Sequence, residues 1–287
     1  MTNLDLRPLS LGEILDRTFS LYRNNFLLFL GITGIPQLLI LALHLTQLFL
    51  TGTVGTRVVD RSHGALSGAM AVFAGLAVLV GAVVYLVAYL FAQGGTVLAV
   101  SELYLGRTAT IGESLRRMRG QAGNLFGVTL LTGLAVLTGL VFLIIPGIWL
   151  ACRLSTCVPA ALLEKLGPGE SLSRSFRLTE GNAGRAFVIY LISFVLAIIA
   201  GAVLAFPFEF IISLSTSQNP GALEMWTALA QVGNAISETL VTPIALIATA
   251  IFYFDLRVRK EAFDLQLMMN PDAIAGPGTS SIPSILS

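Results

Sequence analysis

Few residues in this 287-residue chain could carry chemistry, and most of them fall inside long apolar runs. Two histidines, His44 and His63, and two cysteines, Cys152 and Cys157, are the whole stock of imidazole and thiol side chains. No His-Glu-x-x-His, Cys-x-x-Cys or Gly-x-Ser-x-Gly pattern accompanies them, and no glycine loop has phosphate-cradle spacing. The sequence therefore reads as non-enzymatic, with no cofactor and no metal expected. The cysteines share one apolar segment and read as buried thiols rather than a disulfide framework.

Arg153 is the sharpest single residue, because it is the only charge between Gly120 and Leu163. A charge at the bilayer centre costs about 2.5–3.5 kcal/mol on insertion scales, which makes any such residue a functional candidate. About six residues, or roughly 9 Å, separate it from Pro146-Gly147, the expected turn, so snorkelling toward the outer interface is one outcome. An interhelical pair with Glu238 or Glu209 is the other. Glu238 also belongs to a line with Gln231, Asn234 and Thr242 at helical spacing. That line reads either as the wall of a solute path or as hydrogen-bonding glue between helices.

A different pattern, Gly-Glu-x-Leu-x-Arg, occurs three times ahead of an apolar run: Gly12 to Arg17, Gly112 to Arg117 and Gly169 to Arg174. Ser10 and Thr110 stand at capping-box distance from Glu13 and Glu113, and Gly167-Pro168 makes a weaker start before Glu170. Within each copy Glu and Arg are four apart, so Glu13 with Arg17, Glu113 with Arg117 and Glu170 with Arg174 are expected to pair on one helix face. Exposed, such a pair is worth only about 0.3–0.5 kcal/mol, and it marks a solvated side. The opposite stripe, Leu11, Ile14, Leu15, Thr18 and Tyr22, suits a bilayer interface or a neighbouring helix.

These residues must be positioned by elements that live in lipid. The composition is 55% hydrophobic and 11% charged with mean hydropathy +0.83, where a soluble domain carries about a quarter charged residues. Net charge is +1, which points to no nucleic-acid partner. About 20 apolar residues cross a 30 Å core, and six spans follow: about 26–50, with a kink at Pro36, then 65–100, loosened at Gly94-Gly95, then 122–145, 148–164, 186–206 and 232–254. Thr51 to Gly64 and Ser213 to Gly221 read as loops. Amphipathic helices are expected at about 10–24, 110–119 and 168–182.

The fold class is thus an all-α integral membrane protein, six transmembrane helices plus three cytoplasmic amphipathic helices in a loose threefold repeat. One domain covers 1–266, followed by a disordered Pro/Gly/Ser-rich tail, 267–287. The first 25 residues mix charges with apolar residues and read as an uncleaved start. Fourteen of the 17 basic residues fall on one side of this topology, so both termini and all three repeat helices are expected to be cytoplasmic.

Three stretches carry a family resemblance: Arg7-Pro-Leu-Ser-Leu-Gly-Glu-Ile-Leu-Asp-Arg17, Ile145-Pro-Gly-Ile-Trp-Leu-Ala-Cys-Arg153 continuing to Glu164, and Tyr253-Phe-Asp255-Leu-Arg257-Val-Arg-Lys-Glu-Ala-Phe-Asp264. Together they resemble the bacterial membrane domain found at the N-terminus of some glycerophosphoryl diester phosphodiesterases. The resemblance implies a six-helix domain of the bacterial cytoplasmic membrane. It does not imply phosphodiesterase activity, which in those fusions belongs to a separate TIM-type barrel, whereas here about twenty residues follow the domain. The expected function is a structural or regulatory membrane module contacting membrane lipids or a protein partner. The alternatives are a small-molecule or lipid-related transporter using Arg153 and the Glu238 face, and a subunit of a separately encoded enzyme.

Overall fold

The computed structural model describes residues 7–58, 65–104, 106–214 and 220–261, and the side chains of all of these except 49–58, 65–74 and 220–223. Every regular element among the described residues is helical, and six segments are long and apolar enough to cross a membrane. The protein is an all-α integral membrane protein. Helix α1 (Leu11–Asn24) feeds α2 (Phe26–Val58) and α3 (Ala65–Tyr104); α4 (Ile111–Arg119) feeds α5 (Ala122–Phe142), α6 (Ile144–Arg153) and α7 (Cys157–Leu163); α8 (Pro168–Leu178) feeds α9 (Ala183–Leu204), α10 (Phe206–Leu214) and α11 (Pro220–Glu261).

The threefold repeat is visible at single positions. In each motif helix the residues one and five after the glutamate are buried: Ile14 and Thr18, Ser114 and Met118, Ser171 and Ser175. Four-residue spacing places both on one face, which docks on the spans. The caps also repeat in part. Ser10 completes the box, accepting from the Glu13 N–H at 3.3 Å while its own N–H donates to the Glu13 carboxylate at 2.7 Å. Thr110 supplies only the first half, at 3.3 Å. Gly167, lacking a side chain, supplies only the second, donating to Glu170 at 3.1 Å.

Several boundaries differ from expectation. The hairpin of the second unit turns at Leu143, not at Pro146-Gly147. Proline is tolerated in a first helical turn, and Gly147 is needed inside α6 for contact: a Cβ there would lie 2.7 Å from the Leu140 nitrogen on α5. The fourth span, Ile144–Leu163, is broken at Leu154–Thr156 rather than continuous from 148. Helix α2 runs on to Val58 through part of the expected loop, whose remainder, 59–64, lies outside the described residues. Helix α10 occupies the expected end of the fifth span and the start of the next loop, α8 ends at Leu178 rather than 182, and α11 begins at Pro220, well before 232. The expected tail, 267–287, lies outside the described residues.

Gly94-Gly95 does not loosen α3, which is helical throughout. These glycines admit neighbours: a Cβ on Gly94 would meet Met118 Sδ at 2.1 Å, and one on Gly95 would meet Ile32 at 2.9 Å. The core gathers here and along the last turns of α11, where Leu9, Ile14, Ile32, Met118, Leu125, Leu178, Ile251, Phe252, Tyr253 and Leu256 are all fully buried. Elsewhere the surface is apolar, up to 83% exposure at Val141 and 79% at Ile145. Such a belt is a solvent match for lipid tails and a liability in water.

Candidate functional site

One face of the bundle collects the motif helices and the ends of α3, α7 and α11. Asp255, on the last turns of α11, is buried and accepts from the Leu9 N–H at 2.6 Å, from Arg185 at 2.7 Å and from Arg259 at 2.9 Å. The two guanidinium groups also donate to the Leu9 carbonyl, each at 2.5 Å. The segment leading into α1 is thereby pinned to α9 and α11 through charge-assisted bonds to its backbone.

A second network ties the third unit together. Arg174 donates to Glu164 at 2.8 Å and to Glu261 at 2.7 Å, Arg257 donates to Glu261 at 3.2 Å, and the Tyr253 hydroxyl donates to Glu164 at 2.6 Å. The three resemblance-bearing stretches thus meet on one face, through Leu9, Glu164, Tyr253 and Asp255.

The expected four-residue pairs form only in the second motif, where Arg117 reaches Glu113 at 3.3 Å and Glu102 at 2.6 Å. Glu13 pairs with Arg7 instead, while Arg17 lies 3.5 Å from the Tyr104 hydroxyl. Glu170 is spent on its cap. The physical reason is competition: each motif arginine points at the end of a span, and each glutamate sits among unsatisfied N–H groups of a helix start. The Ser10 N–H and hydroxyl, then Arg7, hold the Glu13 carboxyl down to about 2.

Arg153 does not pair with Glu238 or Glu209. Its guanidinium lies over Phe176 at 5.1 Å and Trp149 at 5.6 Å, a cation–π clamp. Its carbonyl accepts from Ser175 at 2.8 Å and Thr179 at 2.9 Å, so it sits against α8, beside the motif-helix face, and not near the far end. The misplacement follows from the turn: moving it from Pro146 to Leu143 adds a helical turn between the tip and Arg153. Glu209 accepts instead from Asn234 at 3.3 Å, and Glu238 from Gln37 at 2.8 Å.

Glu238 stands about 25 Å of helix from Asp255 and about 21 Å from Glu224, between the two charged layers of α11. Two cavities flank it. One, about 520 Å³, lies among α3, α7, α9 and α11; the other, about 200 Å³, lies among α2, α3 and α11; Tyr89, Glu238 and Thr242 line both. Pro243 shapes this region, because a proline has no N–H to return to the Thr239 carbonyl. Thr33 Oγ1 sits 3.3 Å from that oxygen, and the Tyr22 hydroxyl donates to the Leu240 carbonyl at 3.0 Å. Above Thr249 the buried Ile251, Phe252, Tyr253 and Phe254 close the larger cavity toward the motif-helix face.

Of the polar line that the sequence singled out, Asn234, Glu238 and Thr242 line the larger cavity and Gln231 does not. It missed the opposite wall: Tyr85 and Tyr89, Gln93, Ser155 and Tyr190. A signal existed in the four-residue spacing of Tyr85, Tyr89 and Gln93 along an otherwise apolar helix. Among the described residues no group of three or more His, Cys, Asp or Glu is placed to hold a metal ion. Comparisons with protein-family models, curated proteins and solved structures find no match for this chain.

Proposed function

We propose that this chain is a non-catalytic multi-pass protein of the bacterial cytoplasmic membrane, a relative of the membrane domain of glycerophosphoryl diester phosphodiesterases, with its motif-helix face in the cytoplasm. Its role is that of a structural or regulatory module whose three interfacial helices contact lipid headgroups or a partner protein. The observation that supports this reading is the convergence of all three motif arginines on span ends: Arg17 at Tyr104, Arg117 at Glu102, Arg174 at Glu164 and Glu261. Such tethering makes a rigid charged platform at one interface, as a headgroup- or protein-binding face requires.

Arg116 and Arg119 are exposed on α4 beside this platform. Native mass spectrometry from nanodiscs containing phosphatidylglycerol is expected to show retained anionic lipid, and Arg116→Gln with Arg119→Gln to reduce it. Equal retention in the variant would sink the lipid half of the reading, and a stoichiometric co-purifying protein lost in the same variant would support the partner half.

A second reading, a small-solute binder or transporter, draws on a different observation. A cavity of about 520 Å³ with mixed apolar and polar walls is lined by an ionisable residue between the charged ends of a membrane bundle, where such residues are functional candidates by default. Arg153 has no part in it.

A further inference from the structure

We propose that the cavity around Glu238 binds a small organic ammonium group. The inference rests on the solute-cavity reading above, but concerns binding and not flux. Charge is the first argument. Among the residues lining the two cavities Glu238 alone carries a formal charge, and no lysine, arginine or histidine stands in either wall. An anion would meet an uncompensated carboxylate there, and a neutral solute would leave that carboxylate without a counter-charge in a low-dielectric setting.

Hydrogen-bond polarity is the second argument. Gln93 Oε1 is a buried acceptor with no hydrogen-bond partner. The hydroxyl protons of Ser193 and Thr249 are committed to the carbonyls of Ile189, at 2.9 Å, and Ala245, at 2.8 Å, so their oxygens offer lone pairs to the cavity. A buried orphan acceptor is costly until a donor reaches it, and an ammonium group brings donors with no acceptor of its own.

The third argument is shape and surface. Tyr85 and Tyr89 stack with centroids 6.4 Å apart and planes 9° apart, and Tyr190 and Phe194 line the larger cavity across from Tyr89. Aromatic faces with one carboxylate are the surroundings in which organic cations are recognised. A bare metal ion fits poorly, since hard cations demand several converging oxygens at about 2.3–2.6 Å and Glu238 is the one carboxylate here. The larger cavity, about 520 Å³, is of small-molecule size and admits an ammonium group together with its organic substituents. The group could belong to a free amine or to the ethanolamine headgroup of a phospholipid, since Tyr190 keeps 37% of its surface accessible.

The test uses the full chain in nanodiscs of phosphatidylglycerol, which carries no amine, titrated calorimetrically with ethylammonium, tetramethylammonium and acetamide. Saturable binding of an ammonium probe is expected, weakened at least tenfold in Glu238→Gln and several-fold in Gln93→Leu. The second variant keeps the test decisive should Glu238→Gln fail to fold. In a second arm phosphatidylethanolamine is added to the discs. Its retention by the wild type and release from Glu238→Gln assigns the headgroup as the source, and binding of the free probe undisturbed by it assigns a free amine; both support the ammonium site. Ammonium binding undiminished in both variants overturns the proposal. Saturable binding of acetamide alone overturns the ligand class and leaves the solute cavity standing, and no saturable ligand in either arm overturns both.

Discussion

Position in the charge network, more than charge itself, decides what a polar residue contributes here. Asp255 is a buried carboxylate holding two guanidinium groups and a backbone N–H. Asp255→Ala leaves Arg185 and Arg259 facing each other across an empty site, and removing one partner of a buried pair costs about 3–5 kcal/mol. A large fall in the detergent unfolding temperature is expected, with the N-terminal segment newly open to proteolysis; a variant melting like the wild type would show that the clamp is incidental. The exposed Glu113–Arg117 pair is the contrast: replacing Glu113 alone should leave insertion intact and cost no more than about 0.5 kcal/mol, because Arg117 keeps its bond to Glu102 at 2.6 Å. Glu13 offers a pH test with a defined sign. Its carboxyl is lowered from 4.5 to about 2, so its contribution is fully present above about pH 4.5 and is lost as pH falls toward 2. The stability gap between wild type and Glu13→Gln should therefore close on acidification across that window, and a gap constant with pH would refute the capping role. The sequence pointed to Glu13, Arg117 and Arg174 as residues that matter and to Glu113 as a partner of Arg117, but not to the other partners. Four-residue spacing is a local signal, whereas Tyr104, Glu102 and Glu261 are brought in by packing between distant elements.

At the scale of elements, the bundle is held by close approaches at small residues. The Leu204 carbonyl lies 2.2 Å from where a Cβ on Gly233 would be, and that obstacle is backbone at the junction of α9 with α10. Gly233→Ala cannot be relieved by a rotamer change, so α10 must shift, at an overpacking cost of about 1–3 kcal/mol. At Gly94 the obstacle is Met118, the far end of a flexible side chain, so Gly94→Ala should be milder and should be rescued by Met118→Ala in a double-mutant cycle. Lack of coupling in that cycle would show that α4 does not dock on α3 as described. Helix existence was legible for the six spans and the three motif helices, because long apolar runs leave the backbone no other way to satisfy itself in lipid. Ends were less legible. Pro146 and Pro220 sit at helix starts, and Pro36 and Pro243 lie inside helices, so proline marked a boundary at some positions and a tolerated kink at others. The opposite wall of the cavity was hidden for a related reason: Tyr85, Tyr89 and Gln93 lie on one face of α3, but only the placement of α9 and α11 gives that face a polar neighbour.

The whole molecule distributes its chemistry asymmetrically along the spans: ion pairs gather at the motif-helix face, a single carboxylate sits between cavities inside, and an apolar hairpin tip lies at α5–α6. Val141, Phe142, Leu143, Ile144 and Ile145 are all more than 60% exposed at that tip. Helix α5 has 21 residues, enough for about 31 Å, so the tip should reach the interface opposite the motif helices. Single cysteines at Leu143→Cys and Lys260→Cys test this directly with a membrane-impermeant thiol reagent applied to intact cells and to inverted vesicles. The native Cys152 and Cys157 are buried thiols in an apolar setting and should stay silent. The two introduced cysteines are expected to react from opposite sides, Leu143→Cys in intact cells and Lys260→Cys in inverted vesicles if the motif-helix face is cytoplasmic. Reversal of both would keep the six-span fold and invert its orientation. Silence of Leu143→Cys from both sides, with Lys260→Cys reactive, would mean that the second hairpin turns back within the bilayer with its apolar tip among lipid tails, leaving four spans and a re-entrant loop.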